Sequence, residues 1–219
     1  MVWITWLVVV VLSLVSIIWL ATAYHRLRKP LGLIKPAVIT SDDTTSKEAG
    51  GVQKHEATRD YCLKVVQRLW QLGFSVRANV QYRNQTFTHV AKRTAFEIEK
   101  FGFTRTFFIL SEFDRLDVVT LRSYSKTCFK YALRRGRIPL PWGLCHGTFC
   151  YSVALAYGVD SAVAHAVRNV APPRHWRAAE ILVIYDLATK QLYYLEKTPL
   201  WGALYWDHFR NNIVEVLSP

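Results

Sequence analysis

The chain has 219 residues, a formal net charge of +12 and an apolar fraction of 51%. Once an anchor and a linker are set aside, roughly 165 residues remain, which suits one ordinary domain with a sizeable core. The four cysteines show no CxxC pair and no regular spacing, which argues against a disulfide framework and favours small buried thiols in a reducing compartment. They are Cys62, Cys128, Cys145 and Cys150.

The first predicted element is a membrane-spanning helix over residues 2–23, a run of 22 residues that contains no ionisable side chain. At about 1.5 Å per residue the run extends about 33 Å, enough to cross a hydrocarbon core of about 30 Å. Trp3, Trp6 and Trp19 lie toward its two ends, where amphipathic rings prefer the depth of the headgroups. Two alternatives stay open, a secretory signal cleaved after Ala23 and a buried core helix.

A basic segment follows the span directly. Its cations are Arg26, Arg28, Lys29 and Lys35, and the positive-inside rule assigns such a flank to the cytoplasm. The sequence therefore predicts a single-pass membrane protein with its amino terminus outside and its soluble domain cytoplasmic. Prolines, glycines and a cluster of Ser, Asp and Thr predict a flexible linker before the domain. The predicted division is 1–24 for the anchor, 25–55 for the basic segment and linker, and 56–219 for the domain.

Hydrophobic periodicity predicts the elements of the domain in chain order. An amphipathic helix over 56–73, ended by Gly73, precedes a strand over 74–82. Helical spacing behind Asn84 favours a second helix over 84–101, with an extended hairpin as the alternative. The remaining elements are a strand at 103–113, a helix from Asp114 or Asp117 to 135, a proline-fixed connection at 137–143, a strand at 147–157, a helix at 160–169, a hairpin of 179–187 with 191–197, and a closing helix at 202–217.

The alternation of helices and strands predicts the fold class. Such an order implies a central mixed sheet that is covered by helices on one or both sides. We therefore expect a single α/β or α+β domain behind the transmembrane helix and the linker.

Basic residues are concentrated in the first half of the domain. Residues 61–140 hold fifteen Lys and Arg against five Asp and Glu, whereas residues 141–219 hold six of each. Four cations recur at every fourth position of the helix that ends near 135, and so form one stripe: Arg122, Lys126, Lys130 and Arg134. Beside an anionic inner leaflet each such charge contributes about 1 kcal/mol. Membrane lipids or a membrane protein complex are the expected partners, with nucleic acid and a merely solvated helix face as alternatives.

Large aromatic side chains in the predicted loops indicate contact surfaces. Rigid amphipathic rings are enriched where proteins meet partners, although they also fill the cores of small domains. We expect partner contact for at least one of Trp142, Trp176 and Trp206, and structural packing for Trp201.

Motifs for phosphate loops, dinucleotide sites, zinc proteases and serine hydrolases are missing from the sequence. The only local cluster of metal-type ligands, Cys145 and His146 with Cys150, needs further ligands from elsewhere. A nuclease site of Asp186 and Glu196 is disfavoured, because Glu196 and Lys197 are adjacent and neighbouring strand residues point to opposite faces. No cofactor and no metal are expected.

One constellation has the chemistry of a thiol enzyme. A cysteine nucleophile needs a histidine as base and a carboxylate or amide that orients the histidine. Cys145, His175 and Asp186 have this chain order, which resembles that of transglutaminases and papain-like enzymes. The alternative is a buried cysteine and a loop histidine that stacks on Trp176.

The leading functional prediction is a membrane-anchored, non-enzymatic accessory or scaffold protein, whose basic cytoplasmic domain binds the membrane surface or a membrane protein complex. A membrane-tethered thiol hydrolase or acyltransferase is the alternative. A nucleic-acid-binding domain at the membrane is the second alternative.

Overall fold

Helices and strands follow each other in the order α1 (Ala49–Gln71), β1 (Ser75–Tyr82), β2 (Gln85–Glu97), β3 (Gly102–Phe113), α2 (Val118–Arg135), β4 (His146–Ala156), α3 (Ser161–Asn169), β5 (Ala178–Asp186), β6 (Gln191–Tyr194) and α4 (Trp206–Leu217). The structure is a computed structural model that describes residues 49–97, 102–135, 146–173, 175, 177–199 and 205–218. These elements belong to the second of the two compact units of the chain, Ser46–Pro219.

All six strands form one mixed sheet in the order in which they occur in the chain. The first three strands are antiparallel neighbours, whereas β3, β4 and β5 are parallel and β6 returns antiparallel to β5. The parallel strands are joined by α2 and α3, and right-handed crossovers that advance in one direction lay both helices on one face of the sheet. The first and last helices, α1 and α4, cover the other face.

The two faces carry separate hydrophobic cores. On the side of α1 and α4, the ring of Tyr61 stacks on that of Tyr185 with centroids 3.8 Å apart, and Phe108 stacks on Tyr151 at 4.2 Å. On the side of α2 and α3 the core includes Phe107 and Ile109 of β3 with the inner residues of both crossover helices. Central strands with apolar side chains on both faces need both layers of helices, because an uncovered face would leave them in water.

The first helix is also joined to the end of the chain. The Tyr61 hydroxyl donates a 2.7 Å hydrogen bond to the carbonyl of Leu217, and Arg68 donates to the carbonyl of Ser218. Gly73, at φ +79°, ends the helix as predicted, because only glycine adopts this left-handed conformation without strain. The beginning and the end of the described domain therefore meet on one face of the sheet.

Most predicted elements are confirmed, and the fold is a mixed α/β single domain with a six-stranded sheet and four helices in the described residues. Asp117 begins α2, because its carboxylate accepts hydrogen bonds of 2.8 Å from the backbone N–H groups of Val119 and Thr120. Asp160 begins α3 in the same way through the N–H of Ala162.

The predicted helix over 84–101 is wrong, and the hairpin alternative is confirmed. A turn at Arg83 and Asn84 returns the chain as β2, with Arg83 at φ +54°. β2 pairs with β1 on one side and with β3 on the other, in an unbroken register from His89–Leu110 to Glu97–Gly102 in the second pair. Hydrogen bonds to β1 and β3 satisfy the backbone groups of β2 on both sides. These bonds outweigh the helical spacing of a few apolar residues.

The predicted membrane span over 2–23 lies outside the described residues. Among the helices that the structure describes, none has the length and the apolar character needed to cross a bilayer.

Replacement of Tyr124 by Phe should destabilise the domain. The buried Tyr124 hydroxyl lies 2.9 Å from the carbonyl oxygen of Ile109 and 3.0 Å from that of Val153, so it joins α2 to two central strands. Loss of this buried hydrogen bond should lower the free energy of unfolding by about 1–2 kcal/mol. Urea denaturation of the full chain in mild detergent measures the change. Tyr194→Phe, at a half-buried ring of β6, is the matched control and should stay within about 0.5 kcal/mol; equal losses in both variants would contradict the assignment.

Candidate functional site

The basic stripe on α2 is exposed along the whole helix. The side chains that face the sheet are Leu121, Tyr124, Cys128 and Ala132, and the four that face solvent are Arg122, Lys126, Lys130 and Arg134. In the described part of the chain none of these four cations forms an ion pair with a carboxylate. The prediction that these four cations form a basic stripe on the outer side of α2 is therefore confirmed.

A second group of cations continues this surface across the sheet. We call the end at which β3, β4 and β5 begin the lower end, and the opposite end the upper end. Arg105 of β3 lies near the lower end, where α2 ends at Arg135, and Lys92 of β2 and Arg77 of β1 follow it diagonally, level with Phe107 and Ile109 of β3. The guanidinium of Arg105 donates a 2.8 Å hydrogen bond to the carbonyl of Arg135. Local sequence patterns do not reveal this group, because its members are far apart in the chain.

Four exposed carboxylates stand at the upper end. Glu112 lies at the end of β3, Asp114 and Asp117 follow β3, and Asp160 follows β4. Further exposed carboxylates stand on α1 and α4, and the exposed cations of the upper end include Arg83, Arg115 and Lys190. The distinctive charge feature of the described domain is therefore the basic outer face of α2, and such a face orients a domain relative to a charged surface.

The predicted aromatic contacts have different outcomes. Trp206 is only 2% exposed, and its indole N–H donates a 3.2 Å hydrogen bond to the carbonyl of Leu195. Trp206 begins α4 and packs against Phe209, so its assignment to a partner surface is wrong. Trp142, Trp176 and Trp201 lie outside the described residues.

The proposed thiol constellation is not assembled as predicted. His175 precedes β5 and bridges to Ala178, whereas Asp186 is the last residue of β5. Because a strand rises about 3.3 Å per residue, the eight steps from Ala178 to Asp186 separate the two side chains by about 25 Å. Asp186 therefore does not orient His175. Cys145 lies outside the described residues.

Asp186 has a structural role at the upper end. Its carboxylate accepts hydrogen bonds from the backbone N–H groups of Ala188 at 2.9 Å, Gly158 at 3.0 Å and Val159 at 3.4 Å. Burial alone would raise the pKa of Asp186, but these hydrogen bonds outweigh it and leave the pKa below its ordinary value. The residue holds the turn after β5 against the segment after β4.

Glu180 takes the position beside His175 that was predicted for Asp186. The Glu180 carboxylate is buried, lies 3.4 Å from His175 Nε2 and accepts a 2.5 Å hydrogen bond from the hydroxyl of Ser125. The imidazole of His175 also packs on the ring of Phe129, with centroids 4.2 Å apart. The signal available in the sequence was Glu180, an acidic residue directly before the apolar run ILVIY of β5, since a buried carboxylate needs polar partners.

A cavity of about 290 Å³ opens beside this carboxylate. It lies among α2, α3 and the first half of β5, where β6 no longer pairs with β5. Glu180 and Ser125 are its buried polar groups, and Val167, Pro172 and Leu182 supply apolar walls. Apolar enclosure of a few convergent polar groups is the usual character of a small-molecule site.

The three described cysteines are free and buried, as expected. Burial raises the pKa of Cys62 and of Cys128 to about 12, and it also raises the pKa of Cys150. Such thiols are poor nucleophiles because the thiolate is scarce at neutral pH.

Metal and nuclease sites receive no support from the described residues. Within them no group of three or more His, Cys, Asp and Glu side chains is arranged to hold a metal ion. Glu196 is exposed and pairs with Arg168 at 3.0 Å, whereas Asp186 binds backbone groups. The two carboxylates therefore serve different contacts.

Comparisons with protein-family models, with curated proteins and with solved structures give no significant match. The chemistry of the described surfaces is thus the basis on which a function can be argued.

Replacement of Asp186 by Asn should weaken the domain at neutral pH and flatten its acid dependence. The pKa of Asp186 is lower in the folded state than its unfolded value of about 3.9. Its contribution is therefore present above that unfolded value and is lost as pH falls through the folded pKa. We expect a loss of about 1–3 kcal/mol at pH 7, because three hydrogen bonds to a charged group are weakened.

Chemical denaturation of the full chain in mild detergent, from pH 7 to pH 3, measures this effect. The difference between wild type and Asp186→Asn should shrink toward pH 3. Asp114→Asn, at an exposed carboxylate of the same upper end, is the control and should change stability by less than about 0.5 kcal/mol. A difference that is constant with pH would contradict the role assigned to the carboxylate charge.

Proposed function

We propose that this protein is a membrane-anchored, non-enzymatic accessory or scaffold protein whose basic domain lies against an anionic cytoplasmic surface. The anchor in this proposal is the uncharged segment 2–23, with the basic flank Arg26, Arg28, Lys29 and Lys35 on the cytoplasmic side. The surface is that of anionic lipids or of an acidic membrane protein complex.

The observation that carries the proposal is the basic outer face of α2. The cations of α2 lie on its outer face, without carboxylate partners among the described residues, and Arg77 and Lys92 add two cations on the face of the sheet that α2 covers. A row of four cations on one helix face, with no carboxylate partner in the described part of the chain, suits a surface that meets phosphate or carboxylate groups, because those groups would neutralise the row.

The energies are sufficient for reversible docking. Each Lys or Arg near an anionic leaflet contributes about 1 kcal/mol, and the attraction decays within a Debye length of about 8 Å at physiological salt. Four stripe cations thus supply about 4 kcal/mol before the loss of orientational freedom. A tether keeps the domain at high local concentration near the bilayer, so that weak attraction is enough.

The proposal predicts that the α2 face approaches anionic bilayers. A donor dye is attached at Ser123→Cys on α2 or at Asn211→Cys on α4, in a Cys145→Ser background, and acceptor dyes are carried by lipid headgroups. With the full chain in liposomes that contain phosphatidylserine, energy transfer should be stronger from position 123 than from position 211. In phosphatidylcholine alone, or at about 0.5 M salt, the difference should vanish because the attraction is screened.

Charge-matched variants test which cations act. Neutralisation of the stripe by Arg122→Gln, Lys126→Gln, Lys130→Gln and Arg134→Gln should abolish the preference. The control removes four exposed cations elsewhere, by Arg59→Gln, Lys64→Gln, Lys190→Gln and Lys197→Gln, and should keep it. Equal behaviour of the two variants would refute the role of α2.

A second candidate function is favoured by the contact between His175 and Glu180. A carboxylate that accepts from Nε2–H of an imidazole leaves Nδ1 as a base, which is the pairing that a thiol hydrolase or acyltransferase needs. Glu180 would replace Asp186 as the orienting group, and the nearby cavity would hold the acyl substrate. In the chain, Cys145 directly precedes β4 and His175 precedes the adjacent parallel strand β5.

The thiol candidate predicts selective alkylation. In the full chain, iodoacetamide should modify Cys145 at least about tenfold faster than Cys62 or Cys128, whose raised pKa values keep them protonated. His175→Ala and Glu180→Gln should remove this advantage, whereas Asp186→Asn should not. Residue-resolved mass spectrometry measures the rates, and a Cys145 rate that is unaffected by His175→Ala excludes the enzyme.

A further inference from the structure

Three cations on adjacent strands form a diagonal row that begins near the lower end of the sheet and rises toward its middle. Lys92 is paired with Ser75 on β1 and with Phe107 on β3. Arg77 stands two residues beyond Ser75, and Arg105 two residues before Phe107. Because side chains alternate between faces along a strand, all three point to the face that α2 covers. Diagonal neighbours on a sheet are about 7–8 Å apart, within reach of one another for long side chains.

The end of α2 brings a fourth cation to this row. The backbone carbonyl of Arg135 accepts a hydrogen bond from Arg105, so the last residue of the helix lies directly over β3. The pKa of Lys92 is lowered by burial and by three guanidinium groups, those of Arg105, Arg77 and Arg135. A half-buried ammonium among like charges is unfavourable for the fold by itself.

Capping of α2 explains only one of the three cations in the row. Arg105 acts as a cap for α2, since cations stabilise the carboxyl end of a helix. The ammonium of Lys92 and the guanidinium of Arg77 make no ion pair with a carboxylate among the described side chains. Clusters of like charge that cost stability are characteristic of binding sites, where a ligand of opposite charge compensates them.

We propose that Arg77, Lys92 and Arg135 bind a ligand with phosphomonoester groups, which carry close to two negative charges and several acceptor oxygens each. A guanidinium can bind two phosphate oxygens at once, and Lys adds a point charge, so the set suits clustered phosphates better than single phosphodiesters. The ligand is either the headgroup of a phosphorylated inositol lipid or a soluble phosphate ester. The first source rests on the proposed membrane function; the second does not.

Inositol 1,4,5-trisphosphate is the probe for this site. Calorimetric titration uses the full chain in phosphatidylcholine nanodiscs, with empty nanodiscs as the blank. Lys92→Gln and Arg77→Gln should each weaken binding by at least about tenfold, the loss expected for a charge-assisted hydrogen bond to phosphate. Arg122→Gln, which removes one cation from the distant part of the α2 stripe, should weaken it by less than about threefold through long-range charge alone.

A stability measurement separates loss of the site from loss of the fold. Because Lys92→Gln removes a repelled charge, its urea midpoint without ligand should be equal to or higher than that of the wild type. Trisphosphate at a concentration that saturates the wild type should raise the midpoint of the wild type more than that of Lys92→Gln, because a tenfold loss of affinity removes about 1.4 kcal/mol of the stabilisation by the ligand. No trisphosphate binding by the wild type, or equal losses in Lys92→Gln and Arg122→Gln, overturns the proposal.

Two further arms distinguish the sources and the two proposals. Nanodiscs that contain phosphatidylinositol 4,5-bisphosphate should weaken the apparent binding of the soluble probe if the lipid occupies the site; unchanged binding assigns the site to soluble phosphate esters. Energy transfer that depends on phosphatidylserine but is accompanied by no trisphosphate binding leaves the membrane function standing and removes this site. Trisphosphate binding without energy transfer that depends on phosphatidylserine leaves this site standing and removes the proposed membrane function.

Discussion

The parallel pairing of β3, β4 and β5 is the constraint on which the rest of the domain depends. Parallel neighbours cannot be joined by a tight turn, so each pair needs a crossover, and here each crossover contains a helix. Because both crossovers advance in the same direction, α2 and α3 cover one face and leave the other face to α1 and α4. The sheet is therefore closed from water only when the first and the last helix of the described domain are both in place.

The same constraint explains where the charges lie. A crossover helix runs opposite to the strands that it joins, so the carboxyl end of α2 comes to the ends at which β3 and β4 begin. The partial negative charge of a helix carboxyl end favours cations there. Arg105 binds the last carbonyl of α2, and Arg93 of β2 donates to the carbonyl of Leu72, just after α1, at 3.1 Å. Helix capping thus explains Arg105 and Arg93. It does not explain Arg77 and Lys92, for which no bond to a helix carboxyl end is found among the described residues.

Elements with a strong local signal were predictable, and elements decided by distant partners were not. The apolar centres of β3 and β5, and the caps at Asp117 and Asp160, are encoded within a few residues. β2 was mistaken for a helix because its apolar residues fit both periods, and its partners β1 and β3 decide between them. The site shows the same limit: Glu180 faces Ser125 across 55 positions of sequence, and Asp186 binds Gly158 and Val159 at the end of another strand.

The bonds from α1 to the last carbonyls have a practical meaning for work with this chain. Tyr61 and Arg68 occupy the carbonyl groups of Leu217 and Ser218, so a polypeptide fused behind them begins against the first helix and competes with its packing. Affinity tags and fluorescent reporters therefore belong in an exposed turn that takes no part in these bonds, such as that at Arg83 and Asn84 between β1 and β2.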